Sequence, residues 1–449
     1  MLNRFGPPSD SLRHAAAAVL QADEAVPLRS EEEVAAEASR NYHWNFVFNF
    51  LDGTFFFFGL SFISASTIGV LFVSKLTSSA LAIGLLASIA QAGWYLPQVF
   101  TANLVERLPR KKPVVVRLGL FLERLPVWLL VVSALLATKA PGMALVVFFF
   151  GSIWRGFGAG VVATAWQDLI ARCFPVRRRG SFLGITSFSG TAMGAAGAAL
   201  STWLLKAFAF STNFVIIFAI AAASLTIAWV FLAQTREPVQ QVEGVRQSNR
   251  EFLAKLPGIL RSDRNFRRFL LARLLMTLGN LGAGFVTVSA IYRWQVPDAA
   301  AGLYTAVLLI GQMLGNLASG FLADRYGHKL SLEVGALSAC LAFGLAWLAP
   351  SPEWIYAVFF LMGVNLGTIV VSGILVALEF SEPQRRPTYA GLTNTSVGLV
   401  GMVAPLIGAW LAGVSYGWLF AAGAAINLCA LVTMRWWVRE PRWATAGRT

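Results

Sequence analysis

The sequence predicts an all-α membrane protein in which twelve transmembrane helices form two pseudo-symmetric six-helix bundles. Three observations carry that expectation. They are an apolar composition, a count of apolar runs of spanning length, and a repeat that relates the two halves. Of 449 residues, 57% are hydrophobic and 13% charged, where soluble chains carry about a quarter charged residues. No water-exposed surface can be covered from that stock. The net charge of +14 suggests nucleic acid only until the basic residues are located, and they prove to mark topology.

Residues 1–45 read as a polar, partly helical tail without a signal peptide, because the apolar run Ala15–Leu20 is too short for one and acidic residues follow it. A hydrocarbon core of roughly 30 Å takes about 20 apolar residues per helix. Runs of that kind fall near 46–73, 80–105, 113–138, 142–170, 181–206 and 211–234, which define a first bundle at 46–234. Six more fall near 266–293, 299–323, 329–349, 352–379, 388–414 and 416–438, a second bundle at 266–438. Between them, 235–265 is a basic linker in which Phe252, Leu253, Leu256, Ile259 and Leu260 suit a short helix on the membrane surface. Residues 439–449 form a C-terminal tail, and Trp436 and Trp437 suit interface anchors. Of the 36 Lys and Arg, 28 fall in the two tails and one set of loops, and 4 in the opposite loops. The positive-inside rule then places both termini in the cytoplasm, as expected of a plasma-membrane protein with an even number of spans.

The halves repeat. Leu104-Val105-Glu106-Arg107, followed by Arg110-Lys111, matches Leu322-Ala323-Asp324-Arg325, followed by His328-Lys329, 218 residues on. Arg178-Arg179-Gly180 through Gly184 matches Arg385-Arg386-Pro387 through Gly391 at an offset of 207. Each match occupies the corresponding loop of its half, so the six-span units are parallel repeats about an axis along the membrane normal. The second loop, Gly320 to Lys329 with Asp324, Arg325 and Gly327, closely resembles the loop signature of the major facilitator superfamily. The first copy departs from it at Ala102, Glu106 and Pro109. The resemblance covers roughly 46–438 and implies a transporter of two bundles that rock about a central site. It also implies a gate latch, in which Asp324 and Arg325, with Glu106 and Arg107 as the weaker counterpart, hold the cytoplasmic side closed against a neighbouring helix N-terminus.

Polar residues cost free energy in lipid, so a polar stripe on a span should face protein or a wet cavity. The first span carries Asn45, Asn49 and Asp52 at i, i+4 and i+7, and the seventh carries Arg273, Thr277, Asn280 and Gly284 at the same spacing. The tenth offers Asn365, Thr368 and Ser372, the fourth offers Arg155, and the second offers Gln91 and Tyr95. The superfamily's layout implies that the first, fourth, seventh and tenth helices surround the cavity. Hydroxyls and amides at these positions also suit plain helix-to-helix bonding.

A charge at a helix centre costs about 2.5–3.5 kcal/mol, so an idle one should be rare. Glu123 and Arg124 point about 100° apart on a regular helix, so Glu123 is expected to pair across to a neighbouring helix, with Arg155 as the candidate. Asp52 is the first candidate for proton coupling and Glu123 the second, because a carboxylate in a low-dielectric cavity can load and release a proton near neutral pH.

Other classes fit less well. The scattered acidic residues and short outer loops give no catalytic constellation, which argues against a membrane enzyme. The absence of a Gly-x4-Gly-Lys-Ser/Thr loop argues against ATP as the direct driver. No metal spacing joins Cys173, Cys340 and Cys429 with the three histidines, so neither metal nor cofactor is expected. The expected partners are a small organic solute, a proton and the bilayer, with the chain acting as a monomer. Export of small organic or amphipathic compounds, which the Phe-rich cavity and low charge favour, is the leading expectation, and uptake is the alternative. A permease for a sugar, organic acid or other metabolite is favoured by the asparagines.

Overall fold

The computed structural model describes residues 21, 29–106, 108–239, 258, 260–380 and 386–441. Among them there is no strand, and nine helical stretches are long and apolar enough to cross a bilayer. The predicted runs 46–73, 181–206 and 266–293 are not among the nine. The middle one is a single helix of 32 residues, α7 (Val176–Ala207), diluted by glycines and hydroxyl residues. The other two are broken.

The chain enters through α1 (Glu31–Arg40), which opens on a capping box between Ser30 and Glu33. The first predicted span is then two helices, α2 (Tyr42–Ser61) and α3 (Ile68–Leu76). Between them the backbone turns, and the Ser64 carbonyl accepts from the N–H groups of both Thr67 (3.3 Å) and Gly69 (2.8 Å). The seventh predicted span divides likewise into α9 (Arg264–Gly279) and α10 (Phe285–Trp294). There the sequence Asn280-Leu281-Gly282-Ala283-Gly284 favours tighter i to i+3 bonds, such as Phe285 N–H to the Gly282 carbonyl at 2.9 Å. α2 and α9 end 218 residues apart, the offset already seen in the loops.

The rest of the first bundle is α4 (Ala80–Glu106), a π-wound stretch (Val114–Arg124) leading into α5 (Trp128–Leu136), then α6 (Pro141–Cys173), α7 and α8 (Thr212–Ala233). Pro126 explains part of the π winding, because without an N–H it cannot serve the Leu122 carbonyl. The second bundle continues with α11 (Ala300–Tyr326), α12 (His328–Leu348), α13 (Trp354–Glu379), α14 (Arg386–Val414) and α15 (Tyr416–Val432). Large apolar side chains such as Leu135, Val146, Phe321 and Trp410 are exposed on the outside, as lipid contact requires. Trp436 and Trp437 are exposed too.

Inside each bundle, backbones meet at glycine. A Cβ on Gly93 of α4 would lie 2.5 Å from the Gly156 backbone of α6. In the second bundle a Cβ on Gly311 of α11 would lie 3.0 Å from the backbone carbon of Phe360, and one on Gly363 of α13 would lie 2.8 Å from the Gln312 nitrogen. Gly93 and Gly311 are 218 apart, and Gly156 and Gly363 are 207 apart, so glycines at the same helix pair recur at the two loop offsets. The bundles meet along α4 and α14, where a Cβ on Gly84 would lie 2.5 Å from the Pro405 carbonyl oxygen, and along α7 and α11, where one on Gly302 would lie 2.8 Å from the Ala198 carbonyl oxygen.

The loops repeat too. Glu237, just past α8, accepts from the backbone N–H groups of Lys111 (2.8 Å) and Lys112 (2.9 Å). Glu440, just past α15, accepts from Lys329 N–H at 3.2 Å. Both glutamates sit in Arg-Glu-Pro, at 236–238 and 439–441. Burial pushes the Glu237 carboxyl above its ordinary range, and the two N–H bonds partly offset this. Glu237→Ala removes two charge-assisted bonds and the Arg172 contact at 3.8 Å. The variant is expected to lose roughly 2–3 kcal/mol of stability, read as a lower melting temperature in detergent.

Candidate functional site

The broken first and seventh spans meet at one place. Thr287 Oγ1 of α10 donates to the Ser66 carbonyl at 2.9 Å, and Ala65, Ser66, Ala283 and Gly284 all line one cavity between the bundles. That cavity is ≈ 340 Å³, and its polar wall is Gln91 and Tyr95 of α4, Arg273 and Thr277 of α9, Asn280, and Asn365 of α13. The side chains are set by backbone and by one another. Thr277 Oγ1 donates to the Arg273 carbonyl (3.0 Å), Asn280 donates to Asn365 Oδ1 (3.3 Å), and Asn365 donates to the Gly335 carbonyl (2.8 Å). Arg273 is 4% exposed, and its Nε and one terminal nitrogen have no hydrogen-bond partner.

Two further cavities lie inside the first bundle. One, of ≈ 330 Å³, shares Ala65 and Ala90 with the inter-bundle cavity and is lined by Phe56, Phe57, Trp94, Glu123, Phe148 and Arg155. The other, of ≈ 240 Å³, is lined by Asn49, Asp52, Glu123, Arg124, Trp166 and Thr186. Two carboxylates and two guanidiniums thus occupy one bundle within adjoining spaces. Asp52 Oδ1 and Arg155 Nε have no hydrogen-bond partner.

The expected Glu123–Arg155 pair does not form. Glu123 pairs instead with its own neighbour Arg124, at 3.1 Å, and the Arg124 guanidinium also lies 4.7 Å over the Phe56 ring. The expectation assumed a regular α-helix. The π-wound turn Leu120–Arg124 reduces the rotation per residue and swings the two side chains together.

Several stripe residues lie elsewhere. Asn45 lines none of these cavities; it clasps the end of α8, donating to the Arg236 carbonyl (2.9 Å) and accepting from Arg236 N–H (2.8 Å). Asn49 donates to Thr235 Oγ1 at 3.1 Å while still bordering the Asp52 cavity. Thr368 packs against Gly335 of α12, and Ser372 bonds His328 Nδ1 at 3.1 Å, so of that stripe only Asn365 reaches the inter-bundle cavity. The alternative of helix-to-helix bonding wins there, because a 100° step fixes only relative direction and leaves open which neighbour a face meets.

Of the gate motif, the side chains of Glu106 and Asp324 and the whole of Arg107 lie outside the described residues, as do Phe252, Leu253, Leu256 and Ile259 of the linker. Gly320 has open space where a Cβ would stand. Arg325 is exposed, 5.4 Å from the Tyr326 ring centre. Gly327 has φ 93°, a conformation that favours glycine, and packs against the Glu440 carboxylate. Lys329 pairs with Glu333 at 3.2 Å. Glu237 and Glu440 are additions that the sequence reading missed; the repeated Arg-Glu-Pro was the available signal.

The chain is 34% identical over 131 residues to the 4-hydroxybenzoate transporter of Pseudomonas aeruginosa, covering 28% of each chain. It is 28% identical over 123 residues to the niacin transporter of Acinetobacter baylyi, covering 27% of this chain and 28% of that one. Matches to the first curated relatives span no more than 42% of their length. A crystal structure of a nucleoside transporter superposes over 86% of this chain and 98% of its own with a TM-score of 0.66 at 14% identity, which establishes a shared fold. The sequence model of the Major Facilitator Superfamily matches residues 50–296 and again 293–447, almost the whole of both bundles. With duplicated bundles, interhelical glycines that recur at the repeat offsets and a cavity between the halves, this integral multi-pass membrane protein belongs to the major facilitator superfamily.

Proposed function

We propose that the protein is a secondary transporter that moves a small organic metabolite through the inter-bundle cavity by alternating access. The carrying observation is that cavity, where polar groups from both bundles converge between the broken first and seventh spans. Its volume lies at the lower end of small-molecule sites, roughly 300–1,000 Å³. Asp52 is the proton-coupling group and Glu123 its second candidate, the termini are cytoplasmic, and the chain works as a monomer in the cell membrane. Uptake is the preferred direction, on the names of metabolite transporters that the relatives carry. Export of amphipathic compounds is the second reading, favoured by the aromatic lining of Phe56, Phe57, Trp94 and Phe148 in the adjoining cavity.

In this reading the near end carries the gate motif, where Gly327 and Lys329 meet Glu440. The far end carries cross-bundle contacts between Thr67 and Thr305 (2.5 Å) and between Lys75 and Asp298 (2.7 Å). Proteoliposomes loaded with a metabolite library under an imposed pH gradient test the function and its direction together. Asn280→Ala is expected to weaken the apparent affinity for the transported compound roughly 3- to 10-fold, the worth of one hydrogen bond. Transport indifferent to Asn280, Gln91 and Asn365 substitutions would place the site elsewhere.

A further inference from the structure

We propose that the inter-bundle cavity takes its substrate as an organic monoanion, one carboxylate on a compact apolar or aromatic body, with Arg273 as the group that holds the charge. This rests on reading that cavity as the transport site. A guanidinium within a span is costly and is normally matched by an acid or by carbonyls. Arg124 follows that rule through Glu123. Arg273 does not: like Arg124 it is buried with two nitrogens that have no hydrogen-bond partner, but among the described residues no Asp or Glu lines its cavity.

A permanent cation left unmatched at the wall of a substrate-sized space is poised for a charge that arrives with the ligand. Carboxylates suit guanidinium because charge-assisted bonds to it are short and about twice as strong as neutral ones. The same cavity supplies further polar groups, the donors Gln91 and Tyr95 and the side-chain amide of Asn280, whose nitrogen already donates to Met276 and Asn365, for a second polar group. Much of the remaining lining is apolar, including Phe285, Leu308, Met362, Ile369 and Val397. One cation in such a lining sets the charge at one, because a second carboxylate would be desolvated without a partner. A neutral isostere fails for the converse reason, since it leaves the guanidinium unmatched.

The test measures binding to the full-length protein in detergent at neutral pH by thermal stabilisation and calorimetry. The probes are benzoate, 4-hydroxybenzoate and nicotinate, each against its uncharged amide. At least one carboxylate is expected to bind about tenfold or more tightly than its amide. Arg273→Gln is expected to abolish that preference and Arg273→Lys to retain part of it. Thr277→Glu places a carboxylate one turn from Arg273 and should also abolish the preference, with the guanidinium still in place should the glutamine variant fail to fold. No binding by any of the three carboxylates, amides binding equally, or a preference that survives both Arg273→Gln and Thr277→Glu would overturn the proposal. Amides that bind equally but are weakened by Asn280→Ala would remove only the anion assignment. Ligands indifferent to both Arg273 and Asn280 would remove the cavity reading itself.

Discussion

Asp52→Asn is expected to abolish proton-driven accumulation while leaving substrate exchange intact. Asp52 is 6% exposed, its Oδ1 has no hydrogen-bond partner, and it borders a cavity inside the first bundle. The nearby Glu123 is already engaged by Arg124, which leaves Asp52 as the carboxylate available to a proton. It lies in a different bundle from Arg273, so proton and substrate would occupy separate sites that communicate through the rocking of the halves. For a singly charged anion carried with one proton, the membrane potential cancels and the pH gradient alone drives uptake. One pH unit is worth about 1.4 kcal/mol, or a tenfold accumulation ratio. The asparagine variant should fall to a ratio of about one in proteoliposomes at any imposed gradient, with counterflow of labelled substrate retained. Gradient-dependent accumulation that persists would remove Asp52 from coupling.

Gly363→Val is expected to damage the fold severely. Its new Cβ would press on the Leu308 carbonyl carbon at 2.9 Å and the Gln312 nitrogen at 2.8 Å, both backbone atoms that cannot rotate away. α11 and α13 would have to separate along their length. Overpacking against flexible side chains costs about 1–3 kcal/mol, and against backbone the upper end or beyond is expected. Melting temperature and the monodisperse fraction after solubilisation would report it. Gly320→Ala is the control: its Cβ meets nothing within 4 Å, so stability should be unchanged.

How much of this could be read beforehand differs residue by residue. The two-bundle architecture was legible because lipid enforces a crude rule, apolar throughout or paired within, that composition exposes directly. Asp52 and Arg273 were legible for the same reason, as charges with no cheap place to stand. The breaks after Ser61 and Gly279 were not, because an apolar run of spanning length says nothing about whether its hydrogen bonds continue. Glu123 was assigned the wrong partner because the π turn changed the angular step on which the assignment rested. Thr368 and Ser372 kept their face but met α12 rather than the cavity, a matter of helix rotation that periodicity alone does not set. The paired glycines stood at the two repeat offsets, and the two Arg-Glu-Pro segments stood at a third, 203 residues.

Alternating access requires the far end to part. Thr67 and Thr305, on opposite bundles with hydroxyl oxygens 2.5 Å apart, are placed for a disulfide once both are cysteine and Cys173, Cys340 and Cys429 are replaced. Transport by Thr67→Cys/Thr305→Cys should be blocked on oxidation and restored by reductant. Undiminished transport by the fully oxidised protein would mean that substrate crosses without the bundles opening there, contrary to the mechanism.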